Sequence, residues 1–281
     1  ETSAGTLPND PASKPGLNFG LVAYYPFDGN ASDMSGNGNH GTVNGATPSA
    51  DRHGATGKAY GFTGNGSVGS SAGGEILLPQ PANLDLGSND FTVSLWNVSN
   101  NPSTANQYYL FSTGGSSSSG QNSFHVVKHD NTNKFQVWWN NAGTESQMYG
   151  SAELTGAETY HLAFSRQGVS AKLFVDGSLV STSESFTSFS INESVHLGIK
   201  SYSPSYVLNG SIDEVRIYNR ALSASEVLAL YQLENELPAG SVTTAKLDLG
   251  LHKFLDGNDT IEQALPAGSV IAVKPGDPAP V

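Results

Sequence analysis

No cysteine occurs in the 281 residues, which excludes disulfide staples and thiolate metal sites. Secretion is not excluded, because a chain of this size can bury enough apolar surface without cross-links. Charge is also scarce. Asp, Glu, Lys and Arg make up 14% of residues, against roughly 25% in average domains, so charge-driven disorder is not expected over most of the chain. Lys and Arg number 13 against 25 Asp and Glu, a formal net charge of −12. That deficit of cations argues against nucleic-acid and anionic-membrane partners, whose phosphates need clustered basic side chains. No apolar run approaches the ~20 residues of a membrane-spanning helix. The first residue is Glu1 rather than methionine, so a processed or excised segment is expected.

What the chain does contain is turn chemistry. Thirty-two glycines and 14 prolines, with many Ser, Thr and Asn, point to numerous short strands. Residues 1–16 form a Pro-, Ser- and Asn-rich arm. From residue 17 to about 235 the pattern is β. Leu21–Tyr25 is a buried strand, and Phe91–Trp96 alternates apolar and polar with period two. Phe124–Lys128 and Lys134–Trp139 flank Asp130-Asn131-Thr132-Asn133 as a hairpin. Lys172–Val175 and Ser178–Ser181 flank Asp176-Gly177, a pair suited to the positive φ angles of a type I′ turn. Val195–Ile199 and Ile212–Tyr218 are late strands. Ser223-Ala224-Ser225-Glu226 is a capping box, opening a short helix that carries Val227, Leu228, Leu230 and Tyr231. The expected fold is all-β: a two-sheet antiparallel sandwich with this short C-terminal helix.

Residues 236–281 differ in kind. Leu237–Val242 recurs letter for letter as Leu265–Val270. Between the copies, Leu247, Leu251, Phe254 and Leu255 fall on one face of a helix. So short a helix cannot bury that stripe alone, so the four residues are expected to dock on the sandwich, a following domain or a second copy.

Two cassettes carry the chemistry. The first runs from Tyr24 through Phe27-Asp28-Gly29-Asn30-Ala31-Ser32-Asp33 to Gly38-Asn39-His40-Gly41-Thr42. Its Asp and Asn side chains are hard oxygen ligands, and its glycines let carbonyls turn inward, as calcium requires. The second is Asn209–Ser223, containing Ile212-Asp213-Glu214-Val215-Arg216-Ile217-Tyr218. Together with the Phe91–Trp96 strand and the Asp176-Gly177 hairpin, they resemble the laminin-G-like domains of the concanavalin-A-like lectin and glucanase group. Such domains occur in bacterial extracellular multi-modular proteins, and the resemblance covers residues 17–235. It implies a jelly-roll sandwich whose first and last strands lie side by side. The Asp28 loop would then converge with Asp213, and Asp28, Asn30, Asp33, Asn39, the carbonyl of His40 and Asp213 would bind a structural Ca2+. The alternative is an Asx-turn loop whose side chains satisfy local amides.

For glycan recognition the candidates are Trp138, Asn140, Tyr202 and Tyr206. Trp138 and Trp139 are adjacent on a strand and must face opposite sides of the sheet; one belongs to the core. The alternative is that all these rings simply pack. Trp96 is expected in the core. His125 and His129 could share a face, but a third zinc ligand is lacking. Catalysis is not expected. Glucanases of this group carry Glu-x-Asp-x-x-Glu on one strand, whereas strand alternation here places Asp213 and Glu214 on opposite faces. The Arg, Gln-x-His and Tyr motifs of jelly-roll alginate lyases are missing too. The sequence therefore points to a secreted or cell-surface, non-catalytic recognition or adhesion module that binds a glycan. The alternative is a structural subunit of an extracellular filament, self-associating through its terminal arms.

Overall fold

A computed structural model of the protein describes residues 16–236, apart from 65–73, 80–85, 87–88, 100–106, 117–119, 130–133, 151–158, 188–192 and 204–205. The terminal arm, and the tail with Leu247, Leu251, Phe254 and Leu255, lie outside the described residues.

Among the described residues, fifteen strands and one helix follow one another. They are β1 (Leu21–Tyr25), β2 (Thr42–Asn44), β3 (Thr47–Ala50), β4 (Thr56–Thr63), β5 (Glu75–Leu78), β6 (Phe91–Ser99), β7 (Gln107–Gly114), β8 (Ser123–His129), β9 (Lys134–Asn141), β10 (Thr144–Tyr149), β11 (Thr159–Gln167), β12 (Ser170–Val175), β13 (Ser178–Ser183), β14 (Val195–Leu197), β15 (Asn209–Tyr218) and α1 (Ala224–Asn235). Two antiparallel sheets stack as a sandwich. The first runs β13-β12-β11-β6-β15-β4-β3, with β1 also paired to β15; the second runs β10-β9-β8-β7-β14-β5-β2. First and last strands are therefore neighbours, Tyr24 facing Arg216 and Tyr25 facing Val215.

Local chemistry explains the hairpins. In the β8–β9 pair His129 faces Lys134, His125 faces Trp138 and Ser123 faces Asn140, while the expected Asp130–Asn133 turn lies outside the described residues. Between β12 and β13, Asp176 and Gly177 have φ of 49° and 73°, the type I′ geometry whose twist matches the strands.

Period-two alternation sorts the side chains into three apolar clusters. The largest fills the space between the sheets, with Phe91, Phe111, Phe124, Phe164, Trp139 and Ile212 among its members. A second joins the outer face of the first sheet (Ala163, Phe174, Tyr218) to Val227, Leu230 and Leu233 of α1. The helix starts with both halves of its capping box, the Ser223 hydroxyl accepting from the Glu226 amide and the Glu226 carboxylate accepting from the Ser223 amide. Two expectations change here. Leu228 is exposed, because the buried stripe runs through 227, 230, 233 and 234. Trp96 is buried, but under α1 rather than between the sheets, stacked 5.7 Å from Tyr231.

Candidate functional site

The Asp/Asn/Gly loop after β1 works as an edge cover. Among the described residues β1 pairs with β15 alone, so its other edge has backbone groups that need partners. Loop side chains supply them. The Asn39 amide donates to the Val22 carbonyl at 2.9 Å and the Asn37 amide to the same carbonyl at 3.0 Å. The Asp33 carboxylate accepts from the backbone amides of Tyr24 (3.0 Å), Ser35 (2.8 Å) and Asn39 (2.9 Å). Burial pushes the Asp33 carboxyl up, but these donors outweigh it and hold the group below the ordinary carboxylate value. Asn30 accepts from the Ser32 amide at 2.8 Å, an Asx turn, and the His40 Nδ1 accepts from the Asp33 amide at 3.1 Å.

The acids at the two ends of the expected calcium set have separate partners. Asp28 pairs with Lys58 at 3.1 Å, and Asp213 pairs with Arg52 at 2.7 Å. Among the described residues no three His, Cys, Asp or Glu side chains gather where a metal could sit. A cation beside Asp33 would meet amide hydrogens, so this donor set does not fit calcium, which takes six to eight oxygens. A chelator is expected to move the melting temperature by less than about 1 °C, whereas Asp33→Ala costs about 3 kcal/mol by orphaning buried amides. Calorimetry with EGTA and with added calcium checks this; a calcium-dependent rise in melting temperature would restore the ion.

Asp213 instead belongs to a buried ionic network beneath α1. β15 has a bulge between Asp213 and Arg216, with Glu214 at φ 50°. The bulge cancels strand alternation, so both acids approach Arg52, at 2.7 and 3.9 Å, rather than facing opposite ways. Glu234 of α1 accepts from Arg216 Nε at 2.6 Å and from Trp96 Nε1 at 2.7 Å. Arg216 stacks 3.6 Å from the Tyr24 ring, whose hydroxyl donates to Glu214 at 2.8 Å. His161 shares the pocket, its Nε2 2.8 Å from Ser94 Oγ and 3.6 Å from Glu234.

This network predicts how stability depends on pH. Burial, then the charges of Arg52 and Arg216, lower the His161 imidazole from 6.5 to about 3. Between those values the unfolded chain binds a proton that the native state refuses, so His161 makes stability fall as pH drops from 6.5 toward 3. Burial, then the Glu234 charge, raise the Glu214 carboxyl from 4.5 to about 7 against Arg216, Arg52 and Tyr24. Here the native state keeps a proton that the unfolded chain loses, so this contribution falls as pH rises from 4.5 to 7. The two slopes oppose each other between 4.5 and 6.5. Burial, then the Glu214 charge, also raise the Asp213 carboxyl well above its ordinary value, so the two acids outweigh His161. Urea unfolding should show stability rising as pH falls from 6.5 to 4.5. It should then decline once the unfolded chain's carboxylates are protonated too and His161 alone sets the slope. A stability that falls steadily from pH 6.5 to pH 4.5 would contradict this assignment.

The second sheet carries a different surface on its outer side. Tyr109 of β7, Val127 of β8 and Trp138 of β9 form an apolar patch, against which Tyr202 and Tyr206 pack from the loop after β14. Trp139 points the other way, into the core. The Lys200 ammonium sits among four rings, 4.5 Å from the centroid of Tyr202, 5.1 Å from Tyr206, 5.2 Å from Tyr109 and 5.6 Å from Trp138. The loop is tied to the sheet through Ser201, whose amide donates to Ser112 Oγ at 2.8 Å and whose hydroxyl donates to the Gly114 carbonyl at 2.7 Å. Ser112 in turn lies 2.7 Å from His125 Nδ1. The His125 ring packs 4.2 Å from Trp138. Burial, then the Lys200 charge, hold this imidazole well below its ordinary value, so it stays neutral.

Buried polar side chains lie beneath this patch. Asn140 donates through Nδ2 to the Gln121 carbonyl, and Gln136 through Nε2 to Gln147 at 2.7 Å. Their acceptor oxygens, Asn140 Oδ1 and Gln136 Oε1, have no hydrogen-bond partner, and neither has His125 Nε2. These residues lie two positions either side of Trp138 and directly across from it. All three atoms are enclosed beneath the aromatic patch, so the polar groups that this face offers outward are Lys200 and the exposed Gln147, directly across from Trp138. Three of the four residues expected to bind glycan, Trp138, Tyr202 and Tyr206, thus meet at one place, with Asn140 on the same face. Tyr109, His125 and Lys200 were not anticipated. His125 could have been, because the expected β8–β9 hairpin sets it opposite Trp138.

Two antiparallel sheets stacked face to face define a jelly-roll-type β-sandwich. The sequence profile of the laminin-G type within the concanavalin A-like lectin/glucanase superfamily matches residues 70–228, and the chain belongs to that superfamily. Among solved structures, it is similar to domain 4 of AbnA, a GH43 extracellular arabinanase from Geobacillus stearothermophilus, determined in complex with arabinotriose. The identity is 26% and the TM-score 0.57, over 75% of this chain and 98% of that one. The binding domain of Paraclostridial Mosquitocidal Protein 1 matches at 16% identity and TM-score 0.60, over 76% and 52% of the two chains. The binding domain of botulinum neurotoxin DC, in complex with rat synaptotagmin II, matches at 15% and 0.59, over 77% and 52%. The chain spans about half the length of these toxin domains, and at such identity they share its fold alone. No curated protein matches the chain. Among the described residues no helix is long and apolar enough to cross a membrane.

Proposed function

We propose that this domain is a non-catalytic, extracellular glycan-binding module and that the outer face of the second sheet is its binding surface. The observation that carries this reading is the aromatic cluster around Trp138, with the half-buried Tyr202 and Tyr206 and the Lys200 ammonium at its surface. Sugars present C–H faces that stack on aromatic rings and hydroxyls that donate to amide oxygens. Tyr202 and Tyr206, half-buried over the enclosed Tyr109 and Trp138, supply the first, and the exposed Gln147 across from Trp138 carries an amide oxygen for the second. Support comes from the arabinanase domain, which has the same extent and was determined with a bound trisaccharide. Nothing in the Asp213–Glu214 pair favours catalysis, since both carboxylates are turned to Arg52 in a buried network.

The test is a glycan array probed with the full 281-residue chain, followed by titration of the sugars that bind. Binding lost on Tyr202→Ala, with the melting temperature unchanged, supports the reading. An array on which no glycan binds, or binding indifferent to Tyr202 and Trp138, overturns it.

A further inference from the structure

We propose that this outer face selects saccharides bearing a carboxylate, with Lys200 as the residue that decides. The inference rests on the glycan-binding reading and adds a ligand class to it. Lys200 holds an ammonium with three N–H donors amid four ring faces. Ring faces attract the charge, but they neither neutralise it nor replace the strong acceptors that an ammonium has in water. Among the described residues no carboxylate stands within ion-pair distance of Lys200; the ion pairs of the domain involve Arg52, Lys58, His161, His196, Arg216 and Arg220. Glu145 reaches it only through space, and burial outweighs that acid in lowering the Lys200 pKa.

A half-buried cation without a counter-ion, in a place suited to sugar rings, gains most from an anionic oxygen. Charge-assisted hydrogen bonds are roughly twice as strong as neutral ones. A uronic acid offers the whole complement: a C–H face for Tyr202 and Tyr206, a hydroxyl for the exposed Gln147 amide, and a carboxylate at the ring's edge for Lys200. A neutral sugar would leave the ammonium with hydroxyl acceptors only. The chain's net charge of −12 gives no long-range attraction for a polyanion, so the discrimination has to arise from contact at Lys200.

The experiment titrates the full chain with trigalacturonate and with arabinotriose, matched in length and differing in charge. Wild-type protein is expected to bind the acidic trisaccharide at least about tenfold more tightly, about 1.4 kcal/mol. Lys200→Met should bring the two within about threefold of each other by weakening the acidic ligand alone, and Lys200→Arg should keep the preference. Circular dichroism melting checks that the variants fold, with Lys200→Gln replacing Lys200→Met if needed. The wild-type preference is read without any variant. Equal or tighter binding of arabinotriose by wild type, or a preference that survives Lys200→Met, overturns the proposal. If glycans bind but every binder is neutral, the acidic-ligand proposal falls and the glycan-binding reading stands. If no glycan binds, both fall.

Discussion

Arg216→Ala is expected to lower the unfolding free energy by about 3–5 kcal/mol, the cost of removing one partner from a buried ion pair. For a domain of this size that is a drop of about 10 °C in melting temperature. Arg216 is almost fully buried and joins three parts of the chain: Glu234 of α1 at 2.6 Å, Glu214 at 3.4 Å and the Tyr24 ring of β1 at 3.6 Å. Without it, Glu234, Glu214 and Asp213 share a buried space with Arg52 as their remaining guanidinium. The same logic predicts the reverse for a paired change. Arg216→Met combined with Glu234→Leu removes both charges while keeping volume, so it should cost less than Arg216→Ala alone. Urea unfolding of the three proteins checks this, and a loss below about 1 kcal/mol for Arg216→Ala would show that α1 is held by its apolar stripe and not by the network.

Adjacent tryptophans should give opposite results. Trp139 lies in the inter-sheet core, 1% exposed and 4.6 Å from Phe186. Trp139→Ala should therefore cost about 3–5 kcal/mol of stability, and should lower glycan affinity only through the fraction unfolded. Trp138 faces outward beneath Tyr202 and Tyr206. Trp138→Ala should weaken glycan binding by about thirtyfold or more, the size of an aromatic hot spot, well beyond the fraction that its own burial (9% exposed) would unfold. Paired denaturation and binding titrations separate the two effects. Equal losses of affinity at equal stability would remove Trp138 from the binding surface.

The separation of these residues into two faces is a property of the strand itself. Period-two geometry makes neighbours diverge, and the register of β8 and β9 places His125 against Trp138. The Ser223–Glu226 capping box and the Asp176-Gly177 turn are likewise short-range statements, and the structure matches both. Glu234 was legible in principle: it falls seven residues after Val227, on the helix face that carries Leu230, where a lone acid demands a buried partner. Strand alternation failed at Asp213 and Glu214 because a bulge interrupts β15. Bulges arise where two partners compete for one strand, here β4 along Asn209–Ile212 and β1 along Val215–Tyr218.

Composition and local pattern by themselves determined that this is an all-β chain without cross-links or basic surfaces, closed by a capped helix. They follow from backbone sterics, turn chemistry and side-chain alternation, all acting within a few residues. Tertiary structure alone decided what the polar side chains do. The Asp33 loop covers the free edge of β1 because, among the described residues, no strand pairs there. Asp213 is buried beneath α1 because the helix docks on that sheet. Lys200 sits amid four rings because a loop some sixty residues from Trp138 folds across the second sheet. Such contacts join segments far apart in the chain, and their register is set by the packing of whole sheets rather than by neighbouring residues.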